Sequence, residues 1–450
     1  MSALWQCSSA ATLVLALASC SDDAAETLDV GSPPIDLGPA FTTSFFRDIK
    51  TIIDGRCVGC HQAGSIGPFD LTDPAEVARL AAPIANQVMT AAMPPWPPDN
   101  QCRSYRHDRS LTAEQRALIQ TWADEGAPLG SEADYPGPLP GDGGGINADL
   151  ELAMAEPYTP EGRDDYHCFV LEWPSTDTTF VTGFGMEPGN RSLVHHVNMY
   201  IASPLVATTY RTRDAQAPGS GFPCFGGIVG TGINLMGAWA PGSLGLAFPE
   251  GTGIEVAPGS VLLLEIHYNT GPERSGSDLS TALVTTATAV DRRGAIIPVL
   301  GTDWPSGNML IPANQADVRH ATSFQAPFSQ QALAFLAPWL SGQPLEVHGA
   351  GLHMHYLGTR ARLQVGRSSG EAECLLEIPD WDFNWQAGYF LEQPLAFDPA
   401  TDRLDLECIF DNTAENQPVI DGNQRAPVDV NWGENSEDEM CIGYIYVTAR

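Results

Sequence analysis

Lysine is almost missing from this chain. Lys50 is its one example in 450 residues, and 22 basic side chains face 55 acidic ones for a formal charge of −33. A surface of that sign repels phosphate backbones, so nucleic acid is excluded as a natural partner. Long apolar runs are also missing. The longest terminal one, residues 10–18, falls well short of the roughly 20 residues a membrane-spanning helix needs. No internal repeat is visible. At 43% hydrophobic residues, the bulk reads as globular, and 450 residues are too many for one ordinary core, which predicts two to three domains.

The short apolar run ends Leu17-Ala18-Ser19-Cys20. This resembles a bacterial lipobox, although no Lys or Arg precedes the run. Residues 1–20 are therefore expected to be a lipoprotein signal, with Cys20 lipidated and the protein exported to the periplasm or cell envelope. The membrane would be met through that lipid alone. Residues 21–40 are acidic and rich in Pro and Gly, a flexible tether. Ten cysteines then sort by position. Cys7 leaves with the signal, Cys20 carries lipid, and Cys57 and Cys60 belong to a motif described next. Cys102, Cys168, Cys224, Cys374, Cys408 and Cys441 remain, an even number where disulfides persist.

Residues 41–131 read as helical. Phe45, Ile49, Ile52 and Ile53 form an apolar stripe, and Thr112 with Gln115 fits the capping box of a later helix that buries Ile119 and Trp122. Between them stands Cys57-Val58-Gly59-Cys60-His61, the attachment sequence of a c-type haem. A zinc or redox CxxC is the competing reading. Export, the small helical segment and the loop Met93-Pro94-Pro95-Trp96 favour haem. The segment resembles bacterial class I cytochrome c domains, through to Trp122-Ala-Asp-Glu-Gly126-Ala-Pro. The resemblance implies one covalent haem c with His61 and Met93 as axial ligands, Met89 being the competing thioether. Such a His/Met pair raises the haem potential and suits passing single electrons.

Residues 132–149 form a Pro/Gly linker. Beyond it, short alternating apolar runs separated by Gly, Pro and Asn/Asp turns carry a β-sandwich signature. The length fits two sandwiches, 150–290 and 291–450, with a loose boundary near 285–300. Soft-metal ligands recur through this part. His353 and His355 lie two apart in an apolar strand and should emerge on one face. His195 and His196 are adjacent, so they can share a metal only at a bulge or strand end. His267 can complete that set, and Met440 is a thioether suited to Cu(I). His107, His167, His320 and His348 are read as ordinary structural histidines.

The runs Leu193-Val-His195-His196-Val-Asn-Met199, Leu-Leu-Glu-Ile-His267-Tyr-Asn, Leu352-His353-Met-His355-Tyr-Leu-Gly358 and Asp438-Glu-Met440-Cys441 resemble the copper type II, ascorbate-dependent monooxygenases, a family that includes the peptidylglycine α-hydroxylating and dopamine β-monooxygenases. The resemblance covers about residues 150–450. It implies two jelly-roll-like sandwiches with a water-filled cleft between them and two copper ions. His195, His196 and His267 would hold the electron-transfer copper; His353, His355 and Met440 would hold the oxygen-activating one. It also implies disulfides Cys168–Cys224 and Cys408–Cys441, leaving Cys102 and Cys374, which could pair across domains. Gly351 stands where the peptide-amidating members carry the Arg that binds a peptide carboxylate, which argues against a C-terminal-glycine peptide. Tyr444 matches a substrate-contacting Tyr of that branch, and equally fits a buried terminal strand beside Tyr446.

The sequence therefore predicts a multidomain protein: a small all-α cytochrome c domain followed by two all-β jelly-roll-like sandwiches. The expected function is copper-dependent hydroxylation of a C–H bond in a small-molecule substrate with O2. Electrons would come from a periplasmic donor through the haem, or from ascorbate. A haem and copper electron-transfer protein without hydroxylase chemistry is the alternative.

Overall fold

The computed structural model describes residues 42–450 apart from 64–66, 68, 139–144, 225–229, 242, 244, 271–274 and 421. The signal, the tether and Cys20 lie outside the described residues.

The apolar stripe near the start folds as expected. A π-helical turn, Phe45–Ile49, runs into helix Lys50–Arg56. Phe45, Ile49, Ile52 and Ile53 are all buried against a small helical core that includes Ile119 and Trp122 of helix Ala113–Asp124. Thr112 and Gln115 form the reciprocal cap, satisfying two of the amide groups that a helix start leaves unpaired. The Glu125 carboxylate closes the unit by accepting from the backbone and hydroxyl of Thr42 and Thr43. Two further helices, Pro74–Arg79, not anticipated individually, and Ala81–Met89, which carries Met89 as expected, pack between these. Asp73 caps the first of them and Pro74 opens it.

The reading of 41–131 as helical needs one correction. Residues 90–112 form an extended strap. Pro94, Pro95, Pro97 and Pro98 remove amide donors and fix φ, so a helix cannot propagate through them. The strap instead adds to the β part. Tyr105 bridges Leu391, Arg106 N donates to Phe390 O at 2.8 Å, and Glu392 N donates to Ser104 O at 3.1 Å. It thereby covers strand Gly388–Phe397, the last strand of its sheet, whose edge would otherwise expose unpaired backbone groups. Cys102–Cys374 staples the same strap, so the two leftover cysteines do pair.

From Leu150 onward strands dominate, interrupted by helices Pro204–Gln216 and Phe328–Leu336. A five-stranded sheet contains Asp164–Glu172, Val194–Ala202 and Val261–Asn269, and a four-stranded sheet contains Val318–Phe324, Gly358–Gly366, Ala372–Ile378 and Arg403–Phe410. Both pack on one nine-stranded sheet that runs through both halves. One core joins Phe169, Val197 and Leu264 to Val181 and Val284; the other joins Leu363, Leu406 and Phe410 to Ile297, Val347 and Val447. The halves meet where Thr252 and Gly253 pair in parallel with Arg292 and Arg293. At the boundary expected near 285–300, then, hydrogen-bonded sheet passes directly from one sandwich into the next. Phe390 and Tyr446 of the second half also pack in the first half's core.

Replacing both Cys102 and Cys374 with Ser is expected to lower stability by about 2–4 kcal/mol and to open residues 90–112 to proteases. An unchanged urea midpoint with an intact strap would show that the backbone pairing alone holds it.

Candidate metal centre

His195 and His196 begin strand Val194–Ala202. Its pairing with Val261–Asn269 shifts register between Val194 and His196, so a bulge falls at His195 and places His196 directly opposite His267. The bulge resolves the problem posed by two adjacent histidines, because the extra residue breaks the alternation that would send them to opposite faces. His195 Nδ1 and His196 Nδ1 lie 3.1 Å apart. Ligand nitrogens of His195, His196 and His267 all fall within 4.8 Å of one another. His267 Nδ1 is buried without a hydrogen-bond partner, while its Nε2 meets Asp164 Oδ1 at 2.9 Å. A carboxylate on the second nitrogen orients an imidazole that presents the first to a metal. Tyr166 stacks flat on His267, with centroids 4.1 Å apart.

The second set is assembled differently from the expectation. Strand Leu345–His353 ends at His353, so His355 is not held by strand alternation. It is held by side-chain hydrogen bonds. Glu439, fully buried, accepts from His355 N at 2.9 Å and Met440 N at 3.3 Å on one oxygen, and from Leu357 N at 2.6 Å on the other. That shared oxygen draws the backbones of His355 and Met440 together. Burial pushes the Glu439 carboxyl up to about 8, against the pull of these amides. His355 Nδ1 meets Asp438 O at 3.0 Å and His353 Nδ1 meets Gln386 Oε1 at 2.6 Å. Both rings thus have one nitrogen tied back and Nε2 left to face a ligand, with centroids 5.0 Å apart. Cys441, next to Met440, is fixed by its disulfide to Cys408, and Cys168 pairs with Cys224 as expected.

The two sets are close neighbours. The His196 and His353 ring centroids are 6.4 Å apart, and Phe383 stacks on His195 at 4.8 Å while lying 6.2 Å from His355. Residues 434–440 hold the two halves together beside these rings. Tyr166 donates to Glu434 O at 3.1 Å and Ser436 donates to Asp164 Oδ1 at 3.4 Å. Burial, followed by the neighbouring imidazoles, holds His196 and His355 well below the ordinary histidine value of 6.5; burial likewise lowers His353. Neutral, converging imidazoles are the form that binds a metal.

Tyr444 pairs with Gly351, two residues from His353 on the same strand, so Tyr444 shares the face of that ligand. Of the other histidines, His167 bonds Ser220 O, His320 bonds Leu310 O and His348 bonds Thr448 Oγ1, all local structural roles. Sequence reasoning missed Glu439, Gln386, Phe383 and Asp164. The Glu beside Met440 stood inside a quoted motif; the others carry no local signal.

The CxxCH segment continues the turn of helix Lys50–Arg56. Cys60 N and His61 N both donate to Cys57 O, at 3.1 and 3.0 Å. Cys57 and Cys60 are not joined to each other, and burial raises the Cys57 thiol to about 12. His61 Nδ1 is buried without a partner. A Cβ at Gly67 would lie 2.4 Å from it, so only glycine lets the backbone pass there. Met93 is partly buried, whereas Met89 is 52% exposed.

Residues 150–275 match the family model for the N-terminal domain of copper type II ascorbate-dependent monooxygenase, and residues 295–448 match that for the C-terminal domain. DBH-like monooxygenase protein 1 of Mus musculus is 27% identical over 271 residues, covering 59% of this chain and 41% of that protein. The Homo sapiens protein of the same name is 23% identical over 274 residues with the same coverage. The chain therefore spans well under half the length of these relatives. Among solved structures, a two-domain protein of unknown function from Bacteroides fragilis aligns at 9% identity over 67% of this chain and 95% of that one, with a TM-score of 0.16, too low to bear on the fold.

Two outcomes are expected of the metal-free protein. The folded state refuses protons that unfolded histidines take up below 6.5, so stability should fall as pH drops through that value. Glu439 acts with the opposite sign, its stability contribution being lost as pH rises from the ordinary 4.5 towards 8. Melting temperature against pH should therefore slope more steeply in Glu439→Gln than in wild type; a flat profile in both would refute the assignment. Glu439→Ala strands three buried amides and should cost about 3 kcal/mol or more; a loss under about 1 kcal/mol would mean the loop does not depend on it.

Proposed function

Since the chain belongs to the copper type II, ascorbate-dependent monooxygenases, a family of oxidoreductases, we propose that it hydroxylates a C–H bond of a small organic substrate. One atom of O2 enters the product and the other leaves as water, with two electrons and two protons consumed. Copper, when bound, supplies the one-electron redox chemistry this requires. His195, His196 and His267 would hold one ion, and His353, His355 and Met440 the other. The convergence of three histidine nitrogens within 4.8 Å, one of them buried and unpartnered, carries the reading. The protein's own work is positional. Asp164, Gln386 and the Asp438 carbonyl fix ring orientation, and Glu439 holds the Met440 segment against His355.

Substrate preference follows from what lines the face of His353. Gly351 offers no cation for a carboxylate, and Tyr444 opposite it offers a ring and a phenol. A neutral substrate with an apolar body fits this face better than a peptide carboxylate.

We further infer that Cys57 and Cys60 carry a c-type haem with His61 and Met93 as its axial ligands. Two thiols not linked to each other and held one helical turn apart, with the imidazole next in sequence, suit that group. The haem would accept single electrons from a periplasmic donor or ascorbate. Three disulfides suit an oxidising compartment, and no described helix is long and apolar enough to cross a membrane. A lipoprotein anchored through Cys20 fits this setting.

The deciding experiment expresses the exported chain with haem-maturation machinery and measures bound copper, the haem spectrum and O2 uptake across a panel of small substrates. Two coppers, one covalent haem lost in Cys57→Ser, and substrate-dependent O2 uptake abolished in Met440→Ala are expected. Copper and haem without substrate-dependent uptake would favour an electron-transfer protein instead.

A further inference from the structure

The strap carries aromatic side chains from the CxxCH unit onto the second sandwich. Trp96, three residues beyond Met93, packs against the core of that sandwich. Its ring centroid lies 5.4 Å from Tyr389, nearly edge to face at 81°, and Tyr105 lies within 6.4 Å of Trp96 and 5.9 Å of Tyr389. Tyr389 is buried in strand Gly388–Phe397, opposite Ala350 of the strand that ends in His353. Three residues before Tyr389, Gln386 Oε1 meets His353 Nδ1 at 2.6 Å. One ring contact, a short stretch of covalent backbone and one short hydrogen bond therefore connect Trp96 to the His353 imidazole. Among the described residues, the ring contacts that leave the helical segment all go to the second sandwich; none reaches His195, His196 or His267.

We propose that Trp96 and Tyr389 form an electron-entry route from the haem at Cys57, Cys60 and His61 to the copper held by His353, His355 and Met440. The proposal rests on the haem and copper assignments above. It adds that electrons arrive first at the Met440 set and reach the His195 set afterwards. Electron tunnelling weakens exponentially with distance and is carried better by bonded and closely packed atoms than by water; from Trp96 to His353 the route is continuous in such contacts, and Trp96 lies three residues along the chain from Met93. Each transfer oxidises ferrous haem to ferric and reduces Cu(II) to Cu(I), with no proton required. The two rings serve as bridges and are not themselves oxidised. A one-electron donor or ascorbate refills the haem. The position of the strap also explains why it is both paired to the sheet and stapled by Cys102–Cys374: a route of this kind needs a fixed spacing.

The test uses the full chain loaded with haem and Cu(II), without oxygen. A photoexcited dye reduces the haem in a flash, and decay of the ferrous α band reports transfer to copper. Trp96→Leu is expected to slow that decay by about an order of magnitude, whereas Tyr389→Phe, which keeps the ring, should leave it nearly unchanged. His353→Ala should abolish the fast phase and His196→Ala should retain it. Equal rates in wild type and Trp96→Leu with both cofactors in place, or a fast phase that survives His353→Ala and is lost in His196→Ala, would overturn the route while leaving the haem assignment intact. A chain that shows no covalent haem spectrum at all would overturn the haem assignment, and the route with it. If Trp96→Leu does not fold, the His353→Ala and His196→Ala pair decides the matter alone.

Discussion

Residues 434–440 hold the centre together, and their hold comes down to one buried carboxylate. Glu439 is enclosed by protein yet bonds three backbone amides. A buried carboxylate is costly unless its oxygens are satisfied, so the segment has few alternative conformations once those amides are engaged. The same stretch reaches the other ligand set through Glu434 and Ser436. Thus one loop of the second sandwich sets the positions of His355 and Met440 and also touches the groups that orient His267.

This arrangement depends on the two sandwiches being fixed to each other. A flexible linker between them would let the ligand sets part. Instead, the parallel pairing of Thr252 and Gly253 with Arg292 and Arg293 makes one sheet of both halves, and Phe390 and Tyr446 enter the core of the opposite half. The contact between His196 and His353 follows from that shared framework. Burial and the neighbouring imidazoles hold His196 and His355 neutral, the state in which they can bind metal.

The strap shows how prolines can direct tertiary structure. Four of them within five residues interrupt the helical region after Met89, and the chain pairs with an exposed sheet edge before returning to helix at Ala113. The edge gains hydrogen bonds, and the helical unit gains a fixed seat on the second sandwich.

The sequence by itself determined the local features that depend on neighbours in the chain. The apolar stripe of Phe45, Ile49, Ile52 and Ile53, the Thr112–Gln115 cap, the alternating strands, and the need for a bulge at His195-His196 were all legible, since each follows from helical or strand periodicity. The order of the ligands was legible for the same reason. The tertiary structure alone decided that His355 is held by Glu439 rather than by its strand, that Gln386, Phe383 and Asp164 reach the ligands, that Cys102 meets Cys374, and that the two ligand sets touch. Those contacts join residues tens to hundreds of positions apart. No periodicity encodes them; they exist only once sheets pack and buried polar groups must find partners.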